Sequence, residues 1–185
     1  MCIRDRFNIG IFQFLLFGLF ISCSPSLSPF TQKLYESNNW SVDELKQIQF
    51  YISDDIVLRR KVTEGQTMIQ NGKIKTIDGE KIEELIFKRG TPCVYLFSPK
   101  EERFAISFEQ SEPPKYLMFG PNPKYSNRYV LLGKEWNRNS GSITYQDANW
   151  YTTTESAYAC LLVDLKRASS IQRNSKIVKG QRVGE

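Results

Sequence analysis

The feature that most constrains this chain is a change of hydrophobic period at Ile48. From there to Leu165, apolar residues recur in short alternating runs: "QFYIS", "IVLRRKV", "TMIQ", "KIKTI", "IEELIFK", "CVYLF", "FAISFE", "YLMF", "YVLLG", "SITY", "WYTT" and "CLLVDL". Polar turn formers separate them at spacings of roughly eight to twelve residues, the pattern of half-buried strands joined by tight connections. Successive side chains of a strand take opposite faces, so each run lays one face on a core and gives the other to solvent. Asn71-Gly72 and Asp78-Gly79 accept positive φ and mark hairpins. The expected fold class is mainly β, an antiparallel sandwich or barrel with a short N-terminal helix. Two SH3-like barrels meeting near Glu112 to Tyr116 are the other arrangement the spacing allows.

The helix is signalled by Ser41 and Glu44, which have the spacing of a capping box. The serine accepts from a free amide of the first turn and the glutamate returns the bond, so a short helix is expected from Val42 to about Gln47. Phe30 to Tyr35 suggests a further turn, with Trp40 over the base of the core.

Ahead of the folded part, Phe7 to Ile21 is apolar except for Asn8, Gln13 and two glycines. A membrane span needs roughly 20 apolar residues, whereas a secretory h-region needs about 7–15 behind a positive flank, here Arg4 and Arg6. The run ends in Leu19-Phe20-Ile21-Ser22-Cys23, which resembles the lipobox of bacterial lipoprotein precursors, with Phe20 in place of the commoner leucine. The resemblance implies a signal peptide at 1–22, cleavage before Cys23, acylation of Cys23, and anchoring to the bacterial cell envelope at the periplasmic face or outer membrane. Residues 23–29, rich in serine and proline, would be the lipidated tether, with the β domain at 30–165. The opening "MCIRDR" resembles an adapter-derived false start, and neither the h-region nor Cys23 depends on it. The folded part is similar to uncharacterised exported lipoproteins of Gram-negative bacteria through Gln47 to Leu58 and Phe119-Gly120-Pro121-Asn122-Pro123, a likeness that carries no activity with it.

The formal charge of +5 is concentrated in a basic C-terminal segment, 166–185, holding Lys166, Arg167, Arg173, Lys176, Lys179 and Arg182. Such a segment either rests on anionic lipid or lipopolysaccharide, at about 1 kcal/mol per basic residue, or is a solvated end. Nucleic acid is not an expected partner, because the segment has no aromatic residue to stack on a base. With Cys2 in the signal and Cys23 lipidated, Cys93 and Cys160 remain. They either form a disulfide, worth roughly 4 kcal/mol for so long a loop, or stay as two buried thiols.

The chain contains no histidine, which excludes hydrolases with an imidazole base and most zinc sites; no metal or cofactor is expected. Asp54-Asp55, Glu83-Glu84 and Glu101-Glu102 are adjacent pairs that a strand would send to opposite faces. Glu83-Glu84 reads as a solvent edge alternating with Ile82, Leu85 and Phe87, and Glu101-Glu102 as a turn. The loop "FGPNPKYSNRY" is stiffened by two prolines and offers Asn122, Lys124, Tyr125 and Arg128. With Trp136 and Trp150, and with Tyr145 and Tyr151 close in sequence, it is a candidate glycan platform or, alternatively, ordinary turn chemistry beside core aromatics. The expectation is a lipid-anchored envelope protein acting by binding or assembly. A glycan- or peptidoglycan-binding module and a carboxylate-based hydrolase are the alternatives.

Overall fold

The computed structural model describes residues 26–62, 73–77 and 80–171, with 73–77 as backbone only. The signal region, Cys23, the two expected hairpin dipeptides and the basic residues from Arg173 onward lie outside the described residues.

Strand β1 (Leu27–Pro29) leads into helices α1 (Gln32–Asn38) and α2 (Val42–Leu45). Twelve more strands follow among the described residues: β2 (Gln49–Ile52), β3 (Ile56–Lys61), β4 (Lys73–Ile77), β5 (Glu80–Phe87), β6 (Pro92–Lys100), β7 (Arg103–Ser107), β8 (Leu117–Asn122), β9 (Arg128–Leu131), β10 (Glu135–Trp136), β11 (Ser140–Tyr145), β12 (Ala148–Thr153) and β13 (Leu161–Asp164). Helix α3 (Leu165–Ser169) closes the described chain, and single 3-10 turns occupy Pro123–Tyr125 and Ser156–Tyr158.

The strands form two antiparallel sheets, ordered β1-β13-β2-β6-β7-β8-β9 and β10-β11-β12-β3-β5-β4. Their inward residues, among them Phe50, Leu58, Phe104, Phe119, Ile143 and Trp150, belong to one hydrophobic cluster, as a β sandwich requires. Phe30 anchors one end of it, with its ring 5.2 Å from Phe50, 5.0 Å from Tyr129 and stacked at 5.9 Å on Trp40. The first sheet curls until its edge strand β9 reaches the chain at the opposite edge. Tyr129 N donates to Phe30 O at 3.0 Å and Leu131 N to Ala159 O at 3.1 Å, short of a closed barrel. These bonds occupy amides that would otherwise form an exposed edge.

Ser41 and Glu44 form the capping box, with Ser41 N donating to Glu44 Oε2 at 2.8 Å and Glu44 N to Ser41 Oγ at 3.3 Å. Helix α1 covers more than the single turn expected, starting at the Thr31 cap and ending at Asn39 in the left-handed region.

Two expectations are corrected. Leu27, Ser28 and Pro29 are not tether but an edge strand paired with Asp164, Val163 and Leu162; Pro29 is tolerated because an edge strand leaves one side unbonded. At the start of the 166–185 segment, Lys166 and Arg167 of α3 are exposed while Ala168 is buried against the core. Glu83 and Glu84 are not a solvent edge. Strand β5 lies between β3 and β4, and both glutamates are buried, opposite Arg60 and Arg59. Arg60 Nε reaches Glu83 Oε2 at 2.6 Å and Arg59 Nε reaches Glu84 Oε2 at 2.8 Å. Burial of a carboxylate requires such pairing, and the partners come from a strand twenty-odd residues away.

Candidate functional site

The proline-stiffened loop is a β8–β9 hairpin. Pairing continues to Asn122 opposite Arg128, and Asn122 Oδ1 caps the Pro123–Tyr125 turn by accepting from Lys124 N at 3.0 Å. Ser126 and Asn127 then take positive φ (55° and 52°) to reverse the chain. The guanidinium of Arg128 sits 4.7 Å above the Tyr125 ring, and Tyr125 lies 5.7 Å from Tyr158 of the second 3-10 turn.

Beside this hairpin is a groove of about 370 Å3. That volume lies near the lower end of small-ligand clefts, roughly 300–1,000 Å3. Pro121, Pro123, Leu132 and Ala157 give it apolar walls, Trp136 and Tyr158 contribute exposed rings, and Asn122, Asn137 and Thr154 supply polar groups. Trp136 is held in place by missing side chains: a Cβ at Gly141, its cross-strand partner, would run into the indole ring, and one at Gly133 would approach its Nε1 to 3.0 Å. The Oδ1 atoms of both asparagines accept backbone amides, while their Nδ2 donors have no partner among the described residues.

Of the candidate platform residues, Asn122 and Trp136 line the groove, Tyr125 and Arg128 flank it, and Lys124 is exposed on the capped turn. Trp150 is not part of it. Its side chain is fully buried, its Nε1 donates to Tyr145 O at 3.1 Å, and Arg60 lies 4.9 Å over its ring. Tyr145 is buried and donates to Glu109 at 3.0 Å. Tyr151 is exposed but does not line the groove. Sequence reasoning missed Tyr158 and Thr154, which no motif marks. The packing of the Ser156–Tyr158 turn against β9 brings them in.

Cys93 and Cys160 are buried free thiols. Cys93 is opposite Phe50, which is opposite Val163, so two strand spacings, about 10 Å, separate Cys93 from β13. That exceeds the ~7 Å Cα limit of a disulfide, and the structure does not bring the pair together. Burial pushes both thiols up from their ordinary value; for Cys160, hydrogen bonds to Ser53 and Arg128 partly oppose this.

Several carboxylates are engaged structurally. Asp55 accepts from Lys88 Nζ and Arg89 N, each at 2.7 Å, which holds it below the usual range. Glu36 and Glu102 converge on the Gln32 amide at 2.9 and 2.6 Å, and Tyr129 OH donates to the same Gln32 at 2.8 Å. Neither glutamate lines the groove. No group of three metal-ligating side chains occurs among the described residues, and no helix there is long and apolar enough to cross a membrane.

The chain matches no family model, and comparison with curated proteins and with solved structures returned no significant match.

Proposed function

We propose that this protein is a lipid-anchored protein of the bacterial envelope whose folded domain binds carbohydrate of the cell wall or cell surface. The observation that carries the binding half is the groove of Trp136, Tyr158 and the Pro121–Pro123 segment. Two accessible rings beside unpartnered amide donors match a sugar, which has apolar C–H faces and a rim of hydroxyls. The anchoring half rests on the apolar run that ends at Ser22-Cys23. Two or three acyl chains on Cys23 would hold the protein on a bilayer almost permanently, since each buried methylene contributes about 0.8 kcal/mol.

Each half has its own test. Intact mass of the membrane-extracted protein, expressed from an unquestioned start codon, is expected to show a chain beginning at Cys23 with added acyl mass. The Cys23→Ala variant should lack that mass, and its absence from the wild-type protein would remove the anchor. For the groove, the reporter is tryptophan fluorescence during titration with soluble peptidoglycan fragments and a panel of oligosaccharides. Of the three tryptophans, Trp40 and Trp150 are buried and Trp136 is exposed, so a saturable change should vanish in Trp136→Ala. Binding equal to wild type by Tyr158→Ala, read by the same fluorescence, and by Trp136→Ala, read by calorimetry, would place any sugar site elsewhere.

A further inference from the structure

A second cavity, of about 330 Å3, lies where the β6–β7 hairpin meets the turn between β11 and β12. Its lining includes Lys100, Arg103, Lys115, Tyr116, Gln146 and Asp147, three cations against one carboxylate. Two of these cations are not arranged for folding. Lys100 and Arg103 are directly opposite each other across the hairpin, a like-charge pairing that destabilises a sheet. Neither has an ion-pair partner among the described residues, although Glu101 and Glu102 form the connecting turn; Glu102 accepts from Gln32 at 2.6 Å and Glu109 pairs with Lys115 at 3.0 Å.

The facing turn carries its own unresolved cost. Gln146 and Asp147 both take positive φ (52° and 56°), a conformation that favours glycine, asparagine or aspartate, so the strain falls on Gln146. The Gln146 Nε2 amide is buried and has no acceptor among the described residues. A buried donor without a partner costs roughly 1–3 kcal/mol, which an oxygen from a ligand would recover. Tyr116 and Met118 supply an apolar floor beside these groups.

We propose that this cavity is a binding site for a phosphate group, with Lys100 and Arg103 compensating its charge and the Gln146 side chain turning outward so that its amide donates to one of the phosphate oxygens. Arg103 offers the planar fork suited to phosphate and Lys100 a point charge. The phosphate comes either from a phosphorylated sugar or from a phospholipid headgroup, sources that share this chemistry. The site is independent of the aromatic groove, since the two cavities share no lining residue.

The test is calorimetric titration of the full chain with inorganic phosphate, a hexose phosphate and the water-soluble headgroup glycerophosphoglycerol. The last replaces vesicles so that acyl chains on the protein cannot contribute. Saturable binding is expected, weakened about tenfold in Lys100→Gln/Arg103→Gln and further reduced in Gln146→Glu. Lys166→Gln/Arg167→Gln removes the same charge from exposed positions on α3 and should leave affinity unchanged. Tighter binding of the hexose phosphate or of glycerophosphoglycerol identifies the source. Absence of saturable binding, binding unaffected by Lys100→Gln/Arg103→Gln, or an equal loss in the α3 variant would each overturn the site; the last would mean diffuse charge attraction only. Lys100 and Arg103 are exposed, so their replacement leaves the fold intact, to be checked by the thermal midpoint.

Discussion

At the scale of single residues, the ion pair of Arg60 and Glu83 carries the clearest energetic consequence. Both side chains are largely withdrawn from water, so Glu83→Ala takes away the carboxylate that Arg60 Nε meets at 2.6 Å and should cost about 3–5 kcal/mol. Arg60→Met/Glu83→Leu removes both charges together and should recover most of that loss, measured as the denaturant midpoint. Lys61 and Glu80, also paired at 2.7 Å, are exposed, and Lys61→Ala should change stability by no more than about 1 kcal/mol. Protons held by the core give a second residue-scale prediction. Burial raises Cys93, Tyr129 and Tyr145 above their ordinary values of 9.0 and 10.0, and Glu109 adds to the effect at Tyr145. The unfolded chain therefore releases protons at a pH where the folded chain keeps them. The stabilisation is full below pH 9 and declines as pH rises through and beyond 10, toward the raised folded values. Thermal melts between pH 8 and pH 11 should show a falling midpoint, and a flat profile would contradict the burial of these groups.

At the scale of elements, the capping box and the β10–β11 hairpin make opposite demands on their residues. The box satisfies amides of α2, so Ser41→Ala should destabilise the protein by about 1 kcal/mol without touching either cavity. In the hairpin the requirement is empty space, since Gly141 is where the Trp136 ring rests. Gly141→Ala should push the indole off the sheet, seen as a red-shifted emission and loss of the near-ultraviolet signal of that ring. Sugar binding should fall with it even if the global midpoint moves little. A variant with unchanged emission would show that the seat at Gly141 does not fix the ring.

At the scale of the whole molecule, the two sheets share a core, and the curled first sheet joins β9 to Phe30, just after β1, and to Ala159, just before β13. Segments more than a hundred residues apart in sequence are therefore held by the same strand. Thiol labelling reads this cooperativity: Cys93 and Cys160 should resist iodoacetamide in the native protein and react together across the global unfolding transition. Labelling of one well before the other would show that the sheet opens in parts.

Alternation along the chain by itself determined the β class, the positions of most strands and the capped helix α2, because these depend on side-chain period and on bonds made within four residues. Absence of histidine is likewise a fact of composition that no folding alters. Only the tertiary structure decided that Glu83 and Glu84 are interior. A glutamate pair between Ile82 and Leu85 looks the same on an edge strand as on a central one until the opposing arginines are placed. The groove divides in the same way. The stiff turn and Trp136 were legible as local chemistry, whereas the exclusion of Trp150 and the inclusion of Tyr158 depend on which face of the sheet is covered and which distant turn lies alongside. The facing of Lys100 and Arg103 toward Gln146 is also invisible in sequence, because the strands that carry them come from different sheets. Periodicity specifies which side of a strand a residue occupies; only packing specifies what that side meets.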